Sequence, residues 1–350
     1  MAKEALATKY RPKAFDDVVE QESIKIILKQ QLETNSFQHA YLFVGPAGCG
    51  KTTNARIFAN EINKGVGNPI ELDAASNSGV DDVRDIITQS KLAPIDGSEY
   101  KVFIIDECHS LSSSAWQAFL KLIEEPPAKS IFIFCTTDPQ KIPKTILSRV
   151  QRFDYKRISQ QGIVERLEHI LFEENNNVPF REGGIYKHDT EALEYLAKLS
   201  DGGMRTAISL MDKCLSYSSE LTVENVVKAL GVADYETMME LTDWIISKDG
   251  TMIIRIIEQI HADGLDLKQF IRQYLNFILD LKKICITDNF DYTNLPQTDT
   301  MIKYIDSIPN DAWEDVFDLL ETLIKLNTEI KYDSSPKYMI EAMLLGGINK

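Results

Sequence analysis

The sequence predicts an α/β domain with a parallel sheet, built around a phosphate-binding loop and followed by two all-helical domains. Three observations carry this prediction. Residues Gly45-Pro46-Ala47-Gly48-Cys49-Gly50-Lys51-Thr52 spell G-x-x-x-x-G-K-T directly after the apolar run Tyr41–Val44. Apolar runs alternate with helix-patterned stretches through residue 155. From Ser159 onward the strand pattern stops and amphipathic helical patterning takes over.

Each element has its own reason. Tyr41–Val44, Ile70–Asp73, Val102–Ile105 and Ile131–Cys135 are short, apolar and rich in β-branched or aromatic residues, as strands buried on both faces must be. Glu22–Glu33, Thr52–Asn63, Val80–Ser90 and Ser113–Glu125 carry helical periodicity between them, and Pro126-Pro127 stops the last. Strands spaced by helices of this length imply parallel crossovers. Beyond Ser159, Gln160–Asn175 reads as a helix ended by a turn at Asn175-Asn176-Asn177. Asp189–Ser200, Met204–Ser216 and Val223–Leu230 complete a small all-α domain. Tyr235–Ser247, Thr251–Ala262, Leu267–Ile286, Asp311–Glu329 and Tyr338–Leu345 form a third, helical block, with a polar loop at Asp288–Thr300. The predicted domains are 1–157, 158–232 and 233–350.

Composition narrows the class. The chain of 350 residues is long for one core. It has no apolar run of membrane-span length, and Met1–Tyr10 lacks a signal-peptide core, so a cytoplasmic protein without a membrane partner is expected. The five cysteines are scattered and form no C-x-x-C pair, which argues against a disulfide framework and a structural zinc site. Net charge is −15, divided as −2 over residues 1–155, −3 over 156–232 and −10 over 233–350. No segment is basic enough to announce nucleic acid, so any DNA should meet the near-neutral N-terminal part.

The chemistry follows from the loop. Its glycines let backbone N–H groups curl toward phosphate oxygens, and the following helix adds partial positive charge there. Lys51 is placed for the β/γ-phosphates and Thr52 for Mg²⁺. Asp106 and Glu107 close a buried strand, expected beside the one feeding the loop. Asp106 is the candidate second Mg²⁺ anchor and Glu107 the candidate for orienting or deprotonating water. Thr137 follows another strand end, where a hydroxyl can feel the γ-phosphate, although Thr is common at such ends. Arg149 sits just past a short helical turn and has two readings: an arginine supplied to a neighbouring subunit, or an ordinary surface or ion-paired side chain. Arg205, after Gly202-Gly203, has the same two readings, as a phosphate contact from a closing lid or a solvated helix start. By spacing alone the ordinary reading is the better one for both arginines. Cys49 is given no catalytic role.

Taken together, the quoted segments resemble a family. Leu6–Pro12, Gly45–Thr52, Asp73–Arg84, Ile105–Ser112, Leu122–Pro127 and Thr136–Pro143 occur in the order found in the gamma/tau ATPase subunits of bacterial DNA polymerase III clamp loaders, of the AAA+ class. The resemblance is dense over residues 1–157, thins toward Arg205, and beyond 232 rests on length and helicity. It implies an AAA+ P-loop domain, a helical lid and a helical collar. It implies ATP bound by Gly45, Pro46, Ala47, Gly48, Cys49, Gly50, Lys51, Thr52 and Thr53, bordered by Tyr10, Arg11 and Pro12, with Val18 and Val19 against adenine. Thr137 would be the first sensor, Arg205 the second and Arg149 the arginine finger. Partners would be the other subunits of a pentamer, a sliding clamp and primer–template DNA, with Ser78, Arg84 and Lys121 as DNA candidates. A salt-bridged surface role is an equal reading for Arg84.

Three departures from the family pattern stand out. Only Asn63–Pro69 fills the place of a four-cysteine zinc module, so no zinc is expected. The finger motif ends in Val150 instead of Cys. The helicase- and polymerase-binding extension is expected to be missing, a trimming that suits a phage or other mobile element, which would place the protein in the host cytoplasm. The delta-prime type fits less well because its phosphate loop is degraded. Two competing readings are another oligomeric DNA-remodelling ATPase, such as a branch-migration motor, and a nucleotide-binding scaffold without turnover. The Tyr10-Arg11-Pro12 start and Asp73-Ala74-Ala75-Ser76 segment oppose the first. Intact Lys51, Asp106, Glu107 and Arg149 oppose the second.

Overall fold

A computed structural model describes residues 4–94, 96–177, 186–230, 235–262, 264–333 and 335–346. The chain divides into two compact units, Met1–Ile185 with Leu196–Asp212, and Tyr186–Tyr195 with Lys213–Lys350. The boundary expected at 232/233 lies outside the described residues.

The first unit opens with α1 (Leu6–Lys9) and α2 (Glu22–Thr34), then alternates β1 (Ala40–Val44), α3 (Lys51–Ile62), β2 (Ile70–Asp73), α4 (Val80–Ser90), β3 (Lys101–Asp106), α5 (Ser113–Glu124), β4 (Ser130–Thr136), α6 (Lys144–Leu147) and β5 (Gln151–Asp154). The five strands form one parallel sheet in the order β2-β3-β4-β1-β5. Two features differ from expectation. The strand β5 shows no apolar run in the sequence; only Phe153 of its four residues is buried, because it is an edge strand covered on one side. And β3 does not lie beside β1, since β4 is inserted between them.

Alternating side chains point to opposite faces, and both faces are covered. Tyr41, Phe43, Ile104, Ile133 and Phe153 pack with Phe58 of α3. Leu42, Phe103, Phe132 and Phe134 pack with Trp116 and Phe119 of α5. The Phe103 and Phe132 rings stack at 5.1 Å across neighbouring strands. Ser112 caps α5 by accepting the Ala115 N–H at 3.2 Å.

Downstream come α7 (Gln160–Asn177), β6 (Lys187–His188), α8 (Thr190–Leu199), α9 (Met204–Tyr217), β7 (Glu220–Leu221) and α10 (Val223–Leu230). The helix α7 runs through the asparagines read as a turn; asparagine costs at most about 0.7 kcal/mol against alanine in a helix, too little to end one. The two-residue pairing of β6 with β7 is also new, being too short to leave a pattern.

In the second unit, α11 (Tyr235–Ile246), α12 (Gly250–Ala262), α13 (Leu267–Thr287), α14 (Asp299–Ser307), α15 (Trp313–Glu329) and α16 (Pro336–Gly346) share one core around Ile257, Tyr274, Ile278, Leu281 and Leu323. The segment read as a polar loop is shorter than expected, since α14 begins at Asp299 with Thr298 capping the Met301 N–H. Its polarity serves the cap. Asp280 is buried on α13, its side chain 4 % exposed, and is satisfied by Lys283 at 2.6 Å and the Asn294 N–H at 2.9 Å. Among the described residues no helix is long and apolar enough to cross a membrane.

Cys49, Cys108, Cys135 and Cys214 are buried and Cys285 is exposed. Titration of the native protein with a thiol reagent such as DTNB should therefore show a single fast equivalent, lost in Cys285→Ser, with the remaining thiols reacting only in denaturant. Fast loss of two or more equivalents from native protein would contradict this packing.

Candidate nucleotide site

The loop after β1 is held open from both sides. A Cβ on Gly45 would stand 2.7 Å from the Tyr155 carbonyl oxygen, so only glycine fits. Gly48 has φ +76, and a Cβ there would meet Gly203 at 3.1 Å. The Gly45 N–H donates to the Thr136 carbonyl at 3.2 Å, which fixes the loop to the end of β4.

Lys51 opens α3 and is 6 % exposed. Its ammonium donates to the Gly45 and Pro46 carbonyls at 2.8 and 2.7 Å, inside the curl of the loop. Thr52 Oγ1 donates to Asp106 Oδ2 at 2.8 Å, reaching past β4 to β3. Asp106 Oδ1 accepts the Glu107 N–H at 3.1 Å. Glu107 has left-handed backbone, φ 46, an uncommon conformation for a residue with a side chain and one that clusters at functional sites. Its Oε2 accepts from Thr137 Oγ1 at 3.3 Å and lies 3.2 Å from His109 Nδ1. The same ring nitrogen is 3.2 Å from Thr136 Oγ1. Cys49 donates to the Pro46 carbonyl, and burial pushes its thiol up, which keeps it protonated at neutral pH.

One pocket is lined by Tyr10, Arg11, Pro12, Val18 and Val19, by loop residues 47–53, by Asp106 and Glu107, and by Arg205. Arg205 stands in the first turn of α9, where Met204 N–H donates to the Gly48 carbonyl at 3.1 Å. Among the described residues it has no ion-pair partner. The Tyr10 hydroxyl donates to Glu174 at 2.7 Å, beside Lys9 at 2.5 Å, and burial raises the phenol. Thr137 does not line the pocket and is linked to it through its bond to Glu107.

Other candidates lie elsewhere. Arg149 does not line this pocket. It pairs with Glu124 at 2.9 Å and donates to the Thr145 carbonyl at 2.8 Å and Ser148 Oγ at 3.1 Å. Ser78, Arg84 and Lys121 are exposed, and Arg84 is paired with Asp81 at 2.7 Å. Sequence reasoning gave no role to Asp17, Ile158, Arg166 or Ile208, which also line the pocket. Arg166 donates to the Tyr10 carbonyl at 3.0 Å, and burial lowers its pKa. Its only sequence signal is a charge on a helix, which singles out nothing. His109 could have been found from its place in the Asp106-Glu107-Cys108-His109 run.

The donor set suits Mg²⁺. Thr52 and Asp106 present adjacent oxygens, and this ion takes few protein ligands, all oxygen, when phosphates and water supply the rest. Among the described residues no group of three or more His, Cys, Asp or Glu is placed to hold a metal by itself.

The model of the DNA polymerase III delta subunit matches residues 68–159, a stretch that begins after the phosphate loop. The model of DNA polymerase III subunits gamma and tau, domain III, matches residues 221–346. DNA polymerase III subunit tau of Bacillus subtilis is 36% identical over 369 aligned positions, covering 99% of this chain and 63% of that protein. The Salmonella typhimurium tau subunit is 34% identical, covering 79% and 45%. The chain thus spans less than two thirds of these relatives' own length. Among solved structures, the RuvB Holliday junction branch migration motor of Thermotoga maritima aligns with a TM-score of 0.53 at 20% identity, over 76% of this chain and 90% of that one. A likeness that distant is one of fold alone. A phosphate loop, an acidic strand end and a helix-borne arginine thus meet in one pocket, in a chain similar along nearly its whole length to DNA polymerase III gamma/tau subunits.

Proposed function

We propose that this chain is an ATP-hydrolysing subunit of a sliding-clamp loader. The observation that carries the reading is the bonded series Thr52–Asp106–Glu107–Thr137, set against an intact phosphate loop in the same pocket as Arg205. A scaffold without turnover has no need of a carboxylate aimed by two neighbours.

Each residue then has a task. The loop backbone and Lys51 bind the triphosphate, and Tyr10, Arg11 and Pro12, with Val18 and Val19, take the base. Thr52 and Asp106 would hold Mg²⁺, which when bound neutralises charge on the β- and γ-phosphates. Glu107 orients or deprotonates the attacking water, its carboxylate directed by Thr137 and His109. Arg205 contacts the triphosphate from the helical segment after residue 157. Arg149 serves the neighbouring subunit of a pentamer; its contacts with Glu124, Thr145 and Ser148 are the resting state it must leave.

ATP binding would order the ring, open the clamp and grip primer–template DNA, and hydrolysis would release both. Ser78, Arg84 and Lys121 would meet DNA phosphates, reading shape and not sequence. Arg84 must exchange Asp81 for phosphate to do so. Residues 233–350 would be the collar, its charge of −10 away from DNA. In this reading the domains are 1–157, 158–232 and 233–350, no zinc takes part, and the protein works in the cytoplasm.

Three outcomes test the reading. ATP turnover of the assembled complex should rise on adding clamp and primed DNA; an unresponsive rate, or duplex unwinding in place of clamp loading, would overturn it. Glu107→Gln should keep ATP affinity yet lower turnover by about a hundredfold or more, the usual worth of a positioned base. Arg149→Ala should leave ATP binding by the isolated chain unchanged while lowering turnover of the complex about a thousandfold, as expected of a cation supplied in trans.

A further inference from the structure

Beside the pocket lies a set of contacts to which the ATPase reading assigns no task. After Val18 and Val19, which line the pocket, Glu20 and Gln21 both hold left-handed backbone, φ 56 and 61. Two such residues in succession, neither of them glycine, persist only where their surroundings hold them. What holds them is the segment between β5 and α7. Gln21 Nε2 donates to the Lys156 carbonyl at 2.7 Å, and the Lys156 N–H donates back to Gln21 Oε1 at 3.2 Å. Glu20 Oε1 accepts from the Ser159 N–H at 3.1 Å and from Ser159 Oγ at 2.5 Å.

The other side of this linker is tied as well. Ile158 lines the pocket and its N–H donates to the Gly202 carbonyl at 3.1 Å. Arg157 bonds to Asp201 through both the carbonyl and the carboxylate of that residue. Gly202 is pressed against Arg157, since a Cβ there would lie 2.7 Å from the Arg157 Cβ. Three residues on stands Arg205. An unbroken run of bonds thus leads from Val19, through Glu20 and Gln21, across the linker and the 201–203 turn, to Arg205. It closes on the phosphate loop where Met204 meets Gly48.

We propose that Glu20 and Gln21 are positioning residues that couple occupancy of the base subsite to the placement of Arg205 over the triphosphate. The linker is bonded on both sides, so it cannot shift without carrying either the 18–21 edge or the 201–203 turn. A base seated against Val18, Val19 and Ile158 favours one arrangement of that frame. A differential contact of this kind is what coupling between two subsites requires. The proposal rests on the ATP reading above and adds that the base, not the triphosphate alone, sets the second arginine.

Binding of a fluorescent ATP analogue, with inorganic tripolyphosphate as competitor, tests it on the full chain. Glu20→Ala/Gln21→Ala should weaken ATP about tenfold, the worth of one or two net hydrogen bonds, and leave tripolyphosphate within about twofold. Adding Arg205→Ala to that pair should cost no more than Arg205→Ala alone, because the pair acts through that side chain. Glu20→Gln still accepts both Ser159 donors and should keep ATP affinity within about twofold. Ser159→Ala, a milder cut from the linker side, should weaken ATP selectively by about threefold. Equal losses for ATP and tripolyphosphate, additive losses with Arg205→Ala, or a Glu20→Gln variant as weak as the alanine variant would each overturn the proposal. Wild-type protein that binds neither ligand would remove the ATP reading and this proposal with it.

Discussion

The hydrogen bond from Thr52 to Asp106 reaches across a strand. Because β4 lies between β1 and β3, the loop that follows β1 and the carboxylate that ends β3 are not neighbours in the sheet. They meet only because α3 starts at the loop and carries Thr52 over the end of β4. The sheet order therefore dictates the site. The strand in the middle ends in Thr136 and is followed by Thr137, which bond to the loop backbone and to Glu107, so the polar groups of the candidate site gather at the C-terminal edge of the sheet. This is the general place for ligands in open parallel sheets, where strand order reverses and helix N-termini converge.

Around that edge the molecule concentrates conformational cost beside the candidate site. Glu107 and the pair Glu20–Gln21 take left-handed backbone without glycine, and the side chain of each is tied to a distant segment. The stacked aromatic faces of the sheet supply the rigidity for this. Lys51 is buried yet its ammonium is satisfied by the loop's own carbonyls.

Much of the candidate site was legible in the sequence because its parts are local. The phosphate loop, the acids closing Val102–Ile105 and the threonines after Ile131–Cys135 each announce themselves within a few residues, and the pocket gathers most of them. What could not be read comes from contacts without periodic signal. The bonds from Gln21 to Lys156 and from Glu20 to Ser159 span 135 and 139 positions. Arg166 and Ile158 reach the pocket only through the path of α7 and the linker before it. β5 escaped notice because an edge strand with one buried side chain lacks an apolar run, and α14 because its cap and first turn are polar.

By itself, then, the sequence determined the class of fold, the presence of a phosphate-loop motif and the identity of the acids that stand beside it, since each is encoded by short-range spacing and by the matching of apolar runs to buried strands. Only the tertiary structure decided that β4 separates the loop strand from the acid strand, that Arg149 rests on Glu124 away from the pocket, and that a bonded frame joins the pocket edge at residues 18–21 to the turn before Arg205. Those facts depend on which distant segments the fold brings within hydrogen-bond reach, and neither periodicity nor a motif carries that information.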